Sequence, residues 1–148
     1  MNSAKRPYLD KSHPETYKAM VKVAAESRKA TQAAGLDDAL IELLNTRVSQ
    51  INGCAYCLDM HGKAMRESGF SHAKLDTLAG WRVSHEFSER ERVALEWAES
   101  VTLIAATGAP DSAFEALKAH FSDTEIADLT FAISIMNAFN RLAVSMRQ

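Results

Sequence analysis

The 148-residue sequence predicts an all-α protein, folded as a compact multi-helix domain. Apolar residues recur at helical spacing along most of the chain, and signals that start and stop helices stand between these runs. No stretch shows strand-like alternation, and no Asn-Gly hairpin turn joins two apolar runs. The length favours a single domain over residues 1–148.

The first two predicted helices lie before the only cysteines of the chain. Pro14 opens the first helix, which ends at Gly35, because proline is accepted at a first helical position. Asp37 is a suitable N-cap for the second helix. Gly53 interrupts that helix just before the cysteines.

The middle of the chain predicts shorter elements. A third helix covers roughly residues 55–68 and is closed by Gly69. Ser71 then caps a brief segment that ends at Gly80. Three later helix starts carry the Ser-x-x-Glu capping-box signature: Ser88 with Glu91, Ser112 with Glu115, and Ser122 with Glu125.

The last predicted helix, Asp123–Met146, has apolar residues around most of its circumference. Such a helix is usually buried on all sides. In a small domain it is either a central helix wrapped by the others or one covered by a second subunit. Its polar residues, Asn137, Asn140 and Arg141, favour hydrogen bonding at a helix–helix seam over a direct role in chemistry.

Composition excludes several classes of function. The net charge of −2 and the interleaving of acidic and basic residues argue against nucleic-acid binding. Residues 1–15 lack the apolar core of a secretory signal, and no apolar run is long enough to suggest a membrane span. We therefore expect a cytoplasmic location, where a cysteine pair is more often catalytic or metal-binding than a permanent disulfide.

The segment from Glu42 to His61 contains the residues best suited to chemistry. If Cys54 opens a helix, Cys57 lies about 60° and His61 about 20° around the helix from it, so all three share a face. His61 also follows Cys57 at the spacing where helical side chains meet. Antiparallel return of the chain would bring Glu42 to the same face, which makes a proton relay chemically feasible.

A Cys-x-x-Cys pair alone is compatible with redox chemistry, zinc binding or buried structural cysteines. Zinc held by the two thiols with His61 and Glu42 is chemically acceptable, but the second Cys/His pair typical of structural zinc sites is absent from the sequence. A c-type haem needs histidine directly after Cys57, where Leu58 stands. We favour the redox interpretation and expect neither metal nor cofactor.

The run from Glu42 through Cys54-Ala-Tyr-Cys57 to His61 resembles the core motif of the alkyl hydroperoxidase D-like (AhpD-like) proteins, within the carboxymuconolactone decarboxylase superfamily. The likeness covers nearly the whole chain, through Trp81-Arg82, residues 87–102 and residues 136–144. Members of that family are all-helical and commonly form trimers or hexamers. The resemblance therefore implies a homo-oligomer.

The resemblance also implies a reaction and its residues. Cys57 is expected to be the peroxidatic thiol that attacks a hydroperoxide, Cys54 the resolving thiol, and His61 with Glu42 the proton relay. An external dithiol, such as a dihydrolipoyl-type protein, is expected to reduce the disulfide. Because relatives also pass electrons to a peroxiredoxin, a redox adaptor is an alternative; a muconolactone decarboxylase is another, although that reaction needs no cysteine pair.

The choice of nucleophile depends on two opposing effects. A helix N-terminus stabilises negative charge and favours Cys54 as the thiolate. Cys57 lies in register with His61, and a specific base at contact distance can outweigh a dipole contribution of roughly 0.3–1 kcal/mol. The sequence therefore favours Cys57.

Overall fold

Helices form all the regular structure in residues 4–148, the part of the chain that the computed structural model describes. The predicted all-α class is therefore confirmed, with the first three residues outside the described part. The α-helices are α1 (Leu9–Ser12), α2 (Pro14–Ala33), α3 (Asp38–Asn52), α4 (Ala55–Glu67), α5 (His72–Asp76), α6 (Glu89–Thr102), α7 (Ile104–Thr107), α8 (Asp111–Lys118) and α9 (Asp123–Met146). A 3-10 turn, Leu78–Gly80, follows α5.

The helix ends on either side of α3 follow the local signals. The side chain of Asp37 accepts a hydrogen bond from Ala39 N at 2.9 Å, which satisfies one free amide at the start of α3. α3 ends at Gly53, whose φ of +66° lies in the left-handed region that favours glycine. The chain can therefore reverse directly into α4, so that the two helices pack against each other.

Two of the three predicted capping boxes are present, at Ser88 and at Ser122. The prediction for Ser112 is wrong. α8 begins at Asp111 after an extended Pro110, and no side chain caps it. Ser112 therefore lies inside the first turn, where it cannot act as the N-cap.

α3, α6 and α9 form the centre of the fold, and α2, α4 and α8 pack around them. The fully buried large side chains of the central helices include Leu43, Leu44, Val48, Leu95, Leu129 and Ile133. Burial of each such side chain is worth about 1.5–3 kcal/mol. This core fixes α3, and through it the position of Glu42.

α9 has the predicted bounds, but the other helices do not wrap it. It packs on α2, α3 and α6, while Phe131 remains 65% exposed. Of the alternatives for this helix, wrapping on all sides by the other helices of the chain is therefore wrong. By length and composition alone, α9 is the one helix in residues 4–148 that could cross a membrane.

Candidate active site

Cys54 and Cys57 form a disulfide at the start of α4, with their Cα atoms 5.3 Å apart. Cys54 is the N-cap of this helix, and its Sγ accepts a hydrogen bond from Cys57 N at 3.3 Å. The amide of Cys54 donates in turn to the carbonyl of Ser49 at 3.1 Å, so the end of α3 holds the first cysteine. The structure thus shows the oxidised form of the pair.

His61 and Glu42 meet across the α3–α4 interface, as the sequence analysis expected. His61 Nδ1 lies 2.6 Å from Glu42 Oε2. An ionised carboxylate only accepts hydrogen bonds, so Nδ1 carries the proton and donates it. His61 is 7% exposed, and its other nitrogen, Nε2, is buried without a hydrogen-bond partner in the described part of the chain. That nitrogen is the one free to accept a proton.

A cavity of about 720 Å³ lies beside the disulfide, between α2, α3, α4 and α9. Cys57, His61 and Glu42 all line it, whereas Cys54 does not. The rest of the wall is largely apolar and includes Val21, Ile41, Met60, Ile135, Phe139 and Leu142. Its volume is in the range of small-molecule binding sites.

The cavity walls from α2 and α9 are the part of the site that the sequence analysis missed. Val21 is 47% exposed and Tyr17 36% exposed, so α2 carries apolar side chains on an incompletely covered face. The available signal in the sequence was the presence of apolar residues such as Tyr17 and Val21 in an otherwise polar helix. They did not specify a cavity, because one sequence does not show which two helices face each other.

The other four histidines and Tyr56 lie on the surface of the protein. His13, His72, His85 and His120 are all exposed. Tyr56 is 63% exposed and lies at the cavity. In residues 4–148, no group of three or more His, Cys, Asp and Glu side chains is placed to hold a metal ion.

A second cluster of charges lies on another side of α3. Glu99 Oε1 accepts hydrogen bonds from Arg47 Nε at 2.9 Å and from Trp81 Nε1 at 2.8 Å, and its Oε2 accepts one from Arg82 at 2.8 Å. Burial alone would raise the pKa of Glu99, but these hydrogen bonds outweigh it and hold the pKa below its ordinary value. The cluster joins α3 and α6 to the turn at Trp81.

Comparison with known proteins identifies the family. Residues 14–100 match the model of the carboxymuconolactone decarboxylase family. The chain belongs to this family. Within it, the chain is an AhpD-like protein, as the following relatives show.

A crystal structure of ATU0492 from Agrobacterium tumefaciens, a protein of unknown function suggested to be the antioxidant defence protein AhpD, superposes with a TM-score of 0.89. The two chains are 43% identical, and the match covers 98% of this chain and 97% of the other. The uncharacterised protein YdfG of Bacillus subtilis is 32% identical over 85% of this chain and 86% of its own length. The superposition confirms the fold, and neither relative is named for an established activity.

Relatives named as enzymes match a shorter segment. The alkyl hydroperoxide reductase AhpD of Bradyrhizobium is 44% identical over 43 residues, which are 29% of this chain and 24% of that protein. The family and its cysteine pair are therefore shown, whereas peroxide reduction is only suggested by a partial match.

Proposed function

We propose that this protein reduces organic hydroperoxides with the Cys54–Cys57 dithiol, and that Cys57 is the nucleophile. The observation that carries the proposal is the asymmetry of the two sulfurs at the cavity. Cys57 lines it together with His61 and Glu42, whereas Cys54 lies behind, 1% exposed and at the N-cap. A peroxide in the cavity meets Cys57 first.

The proposed reaction transfers two electrons from the dithiol to the peroxide. His61 Nε2 removes the proton of the Cys57 thiol, and Glu42 stabilises the resulting imidazolium through Nδ1–H. The thiolate attacks the terminal peroxide oxygen, the O–O bond breaks, and the alkoxide leaves as an alcohol with the proton from His61. Cys54 then attacks the sulfenic acid on Cys57, releasing water and forming the disulfide.

The structure also contains the feature that favours Cys54. The Cys57 amide points at Cys54 Sγ, which would stabilise a thiolate there. A backbone amide lowers the energy of that thiolate without removing its proton, whereas Nε2 of His61 is a base without another partner. We therefore retain Cys57 as the nucleophile and Cys54 as the resolving thiol.

The proposed substrates are organic hydroperoxides. Val21, Ile135 and Phe139 give the cavity apolar walls that hydrogen peroxide would not fill. An alkyl or aryl group would displace water from those walls, and the apolar area that it buries would contribute binding energy. A substrate bound in this way would have its O–O bond beside Cys57.

The disulfide needs an external reductant. Because Cys57 is 3% exposed, the reductant must reach it through the cavity, which favours a slender dithiol such as a dihydrolipoyl group over a thiol on a broad protein surface. Transfer of electrons onward to a peroxiredoxin is the second candidate function, favoured by the exposed Tyr56 and Met60 beside the pair. Decarboxylation leaves the disulfide without a role.

We also propose that the chain forms a homo-oligomer, a trimer or a hexamer as the family resemblance implies. Large apolar side chains on α2 and α9 that do not line the cavity are exposed in the single chain, including Val23 and Phe131. Association would bury this surface. Sedimentation at micromolar concentration should show an assembly, and a stable monomer would contradict the proposal.

A single-turnover experiment tests the proposed reaction. The protein is reduced, freed of reductant and mixed with tert-butyl hydroperoxide, and thiols and alcohol are counted. We expect loss of two thiols and formation of one alcohol per chain. Cys54→Ser should still form one alcohol and leave a sulfenic acid on Cys57 that dimedone traps, whereas Cys57→Ser should not react.

The other outcomes decide among the alternatives. Reaction of Cys57→Ser but not of Cys54→Ser would assign the nucleophile to Cys54. Absence of alcohol with every variant would reject direct peroxide reduction. If turnover then appears only when a peroxiredoxin is added, the adaptor function is correct.

A further inference from the structure

Polar side chains in the seam between the end of α3, α6 and α9 form a connected group, which we call the amide cluster: Ser49, Asn52, Thr102, Asn137, Asn140 and Arg141. Ser49 and Asn140 are both 0% exposed, and Asn137 is 8% exposed. The predicted role of hydrogen bonding at a helix–helix seam is thereby confirmed for Asn137 and Asn140, whereas Arg141 donates only to Asn137 on its own helix.

Asn52, the last residue of α3, donates hydrogen bonds to two residues of α9. Its Nδ2 donates to Asn137 Oδ1 at 2.9 Å and to Asn140 Oδ1 at 3.0 Å, so both amide protons are used. Asn140 Nδ2 donates to Ser49 Oγ at 3.1 Å, one turn earlier on α3. The C-terminal turn of α3 is therefore fixed to α9 at two points.

The same turn of α3 holds the redox pair. The backbone carbonyl of Ser49, whose hydroxyl accepts from Asn140, accepts the amide of Cys54 at 3.1 Å. Only Gly53, in the left-handed conformation, separates Asn52 from Cys54. Cys54 thus links the two helices: its amide donates to the last turn of α3, and its own carbonyl accepts the amide of Leu58 in α4 at 2.9 Å.

We propose that Asn52 and Asn140 are positioning residues for the redox pair: by fixing the last turn of α3 against α9, they hold the sulfur of Cys54 within bonding distance of Cys57. The proposal rests on the proposed function only in requiring that the pair cycles between dithiol and disulfide. A fixed turn raises the effective concentration of each thiol at the other, which favours the disulfide.

A contribution to the stability of the α3–α9 interface does not by itself explain why the amide cluster is polar. Well-packed apolar residues usually stabilise a buried interface as well as a polar network does, or better. A polar network, however, allows only one arrangement of its donors and acceptors, so it fixes the register of the two helices. At this seam the register determines where Cys54 lies.

The test is the equilibrium between the protein disulfide and dithiothreitol, measured with alkylation and mass spectrometry. In this exchange dithiothreitol gives two electrons and two protons to the Cys54–Cys57 disulfide and becomes a cyclic disulfide. We expect Asn52→Ala to lower the equilibrium constant for disulfide formation about tenfold, which corresponds to about 30 mV. Ser49→Ala, which removes only the hydroxyl, is a milder variant in the same direction if Asn52→Ala does not fold.

Thr130→Val is the matched control. It removes the hydrogen bond from Trp97 Nε1 to Thr130 Oγ1, 2.9 Å long, which also joins α9 to a neighbouring helix but does not contact α3. We expect this variant to be destabilised while its disulfide equilibrium stays within twofold of wild type. An unchanged constant in both cluster variants would overturn the proposal, as would an equal change in Thr130→Val.

No peroxide enters this measurement. If Cys57 fails to reduce hydroperoxides but Asn52→Ala still shifts the equilibrium, the proposed function is wrong and the positioning role stands. If peroxide is reduced and the equilibrium is unmoved, the positioning role is wrong.

Discussion

Glu42 and Glu99 are similar carboxylates in different surroundings. The side chain of Glu42 is 20% exposed and that of Glu99 is 14% exposed, so both are mostly buried. Glu42 belongs to α3, and Glu99 contacts Arg47 of the same helix. Glu99 accepts hydrogen bonds from three side chains, Arg47, Trp81 and Arg82, with both oxygens engaged. Within residues 4–148, the carboxylate of Glu42 accepts a side-chain hydrogen bond from His61 alone.

The difference shows how partners decide what a buried carboxylate can do. Two guanidinium groups and an indole fix Glu99 as an anion, so it stabilises the junction of α3 and α6 but cannot easily exchange a proton. Glu42 has one side-chain partner, His61, which lines the cavity and whose Nε2 has no hydrogen-bond partner in residues 4–148. Glu42 can therefore respond to a charge that develops on His61.

The largest effect that tests this comparison is on the rate of peroxide attack. His61→Ala and Glu42→Gln should each slow the reaction at pH 7, because a general base contributes on the order of a hundredfold to ten-thousandfold. The double variant should lose less than the product of the two losses, since the groups act as a unit. Stopped-flow measurement of thiol oxidation gives these rates.

The pH dependence of the same variants provides the control. Raising the pH toward the free-thiol value of about 8.5 should restore part of the lost rate, because thiolate then forms without a base. Full activity of both single variants at neutral pH would show that the relay is wrong. The thiolate at the helix N-terminus, Cys54, would then be the better candidate nucleophile.

Glu99→Gln makes the same chemical change at the other carboxylate and should have the opposite consequence. It leaves Arg47 without its anion and Arg82 paired with Glu96 alone, which should cost roughly 1–3 kcal/mol of unfolding free energy. The rate of peroxide attack at 25 °C should stay within about twofold of wild type. Urea unfolding and the stopped-flow rate measure the two quantities, and a loss of rate without loss of stability would refute the distinction.

The sequence was sufficient to predict the fold class, most helix bounds and the meeting of Glu42 with His61. Local rules determine these features, since Gly53 ends α3 where the chain must reverse and Asp37 caps its start. The failure at Ser112 has a local cause as well. Ser-x-x-Glu specifies a cap only if the helix has not already started before the serine. Here Pro110 and Asp111 start α8 before Ser112.

The Glu99 cluster and the cavity could not be predicted in this way. Arg47 and Glu99 are 52 residues apart, and nothing at either position specifies the other. The cavity depends on the gap between α2 and α9, which is set by packing rather than by any motif. Long-range pairing between helices is thus what the sequence left undetermined.

The smallest expected effect concerns acid stability. Because the folded-state pKa of Glu99 is lowered, its ionised form contributes stability above the unfolded value of about 4.3, and this contribution is lost as the pH falls through the lower folded value. The effect should be smaller than that of Glu99→Gln, since partial protonation removes only part of the charge. Wild type should therefore lose stability relative to Glu99→Gln between about pH 5 and pH 3.

The difference between the two unfolding curves isolates Glu99 from the other acids. The pKa of Glu125 is also lowered, mainly by the backbone amide of Ser122, and it titrates in the same direction in both proteins. Its contribution cancels when the free energies of unfolding are subtracted at each pH. A difference that stays constant from pH 5 to pH 3 would mean that the three donors do not hold Glu99 as an anion, and the contrast with Glu42 would then lose its electrostatic basis.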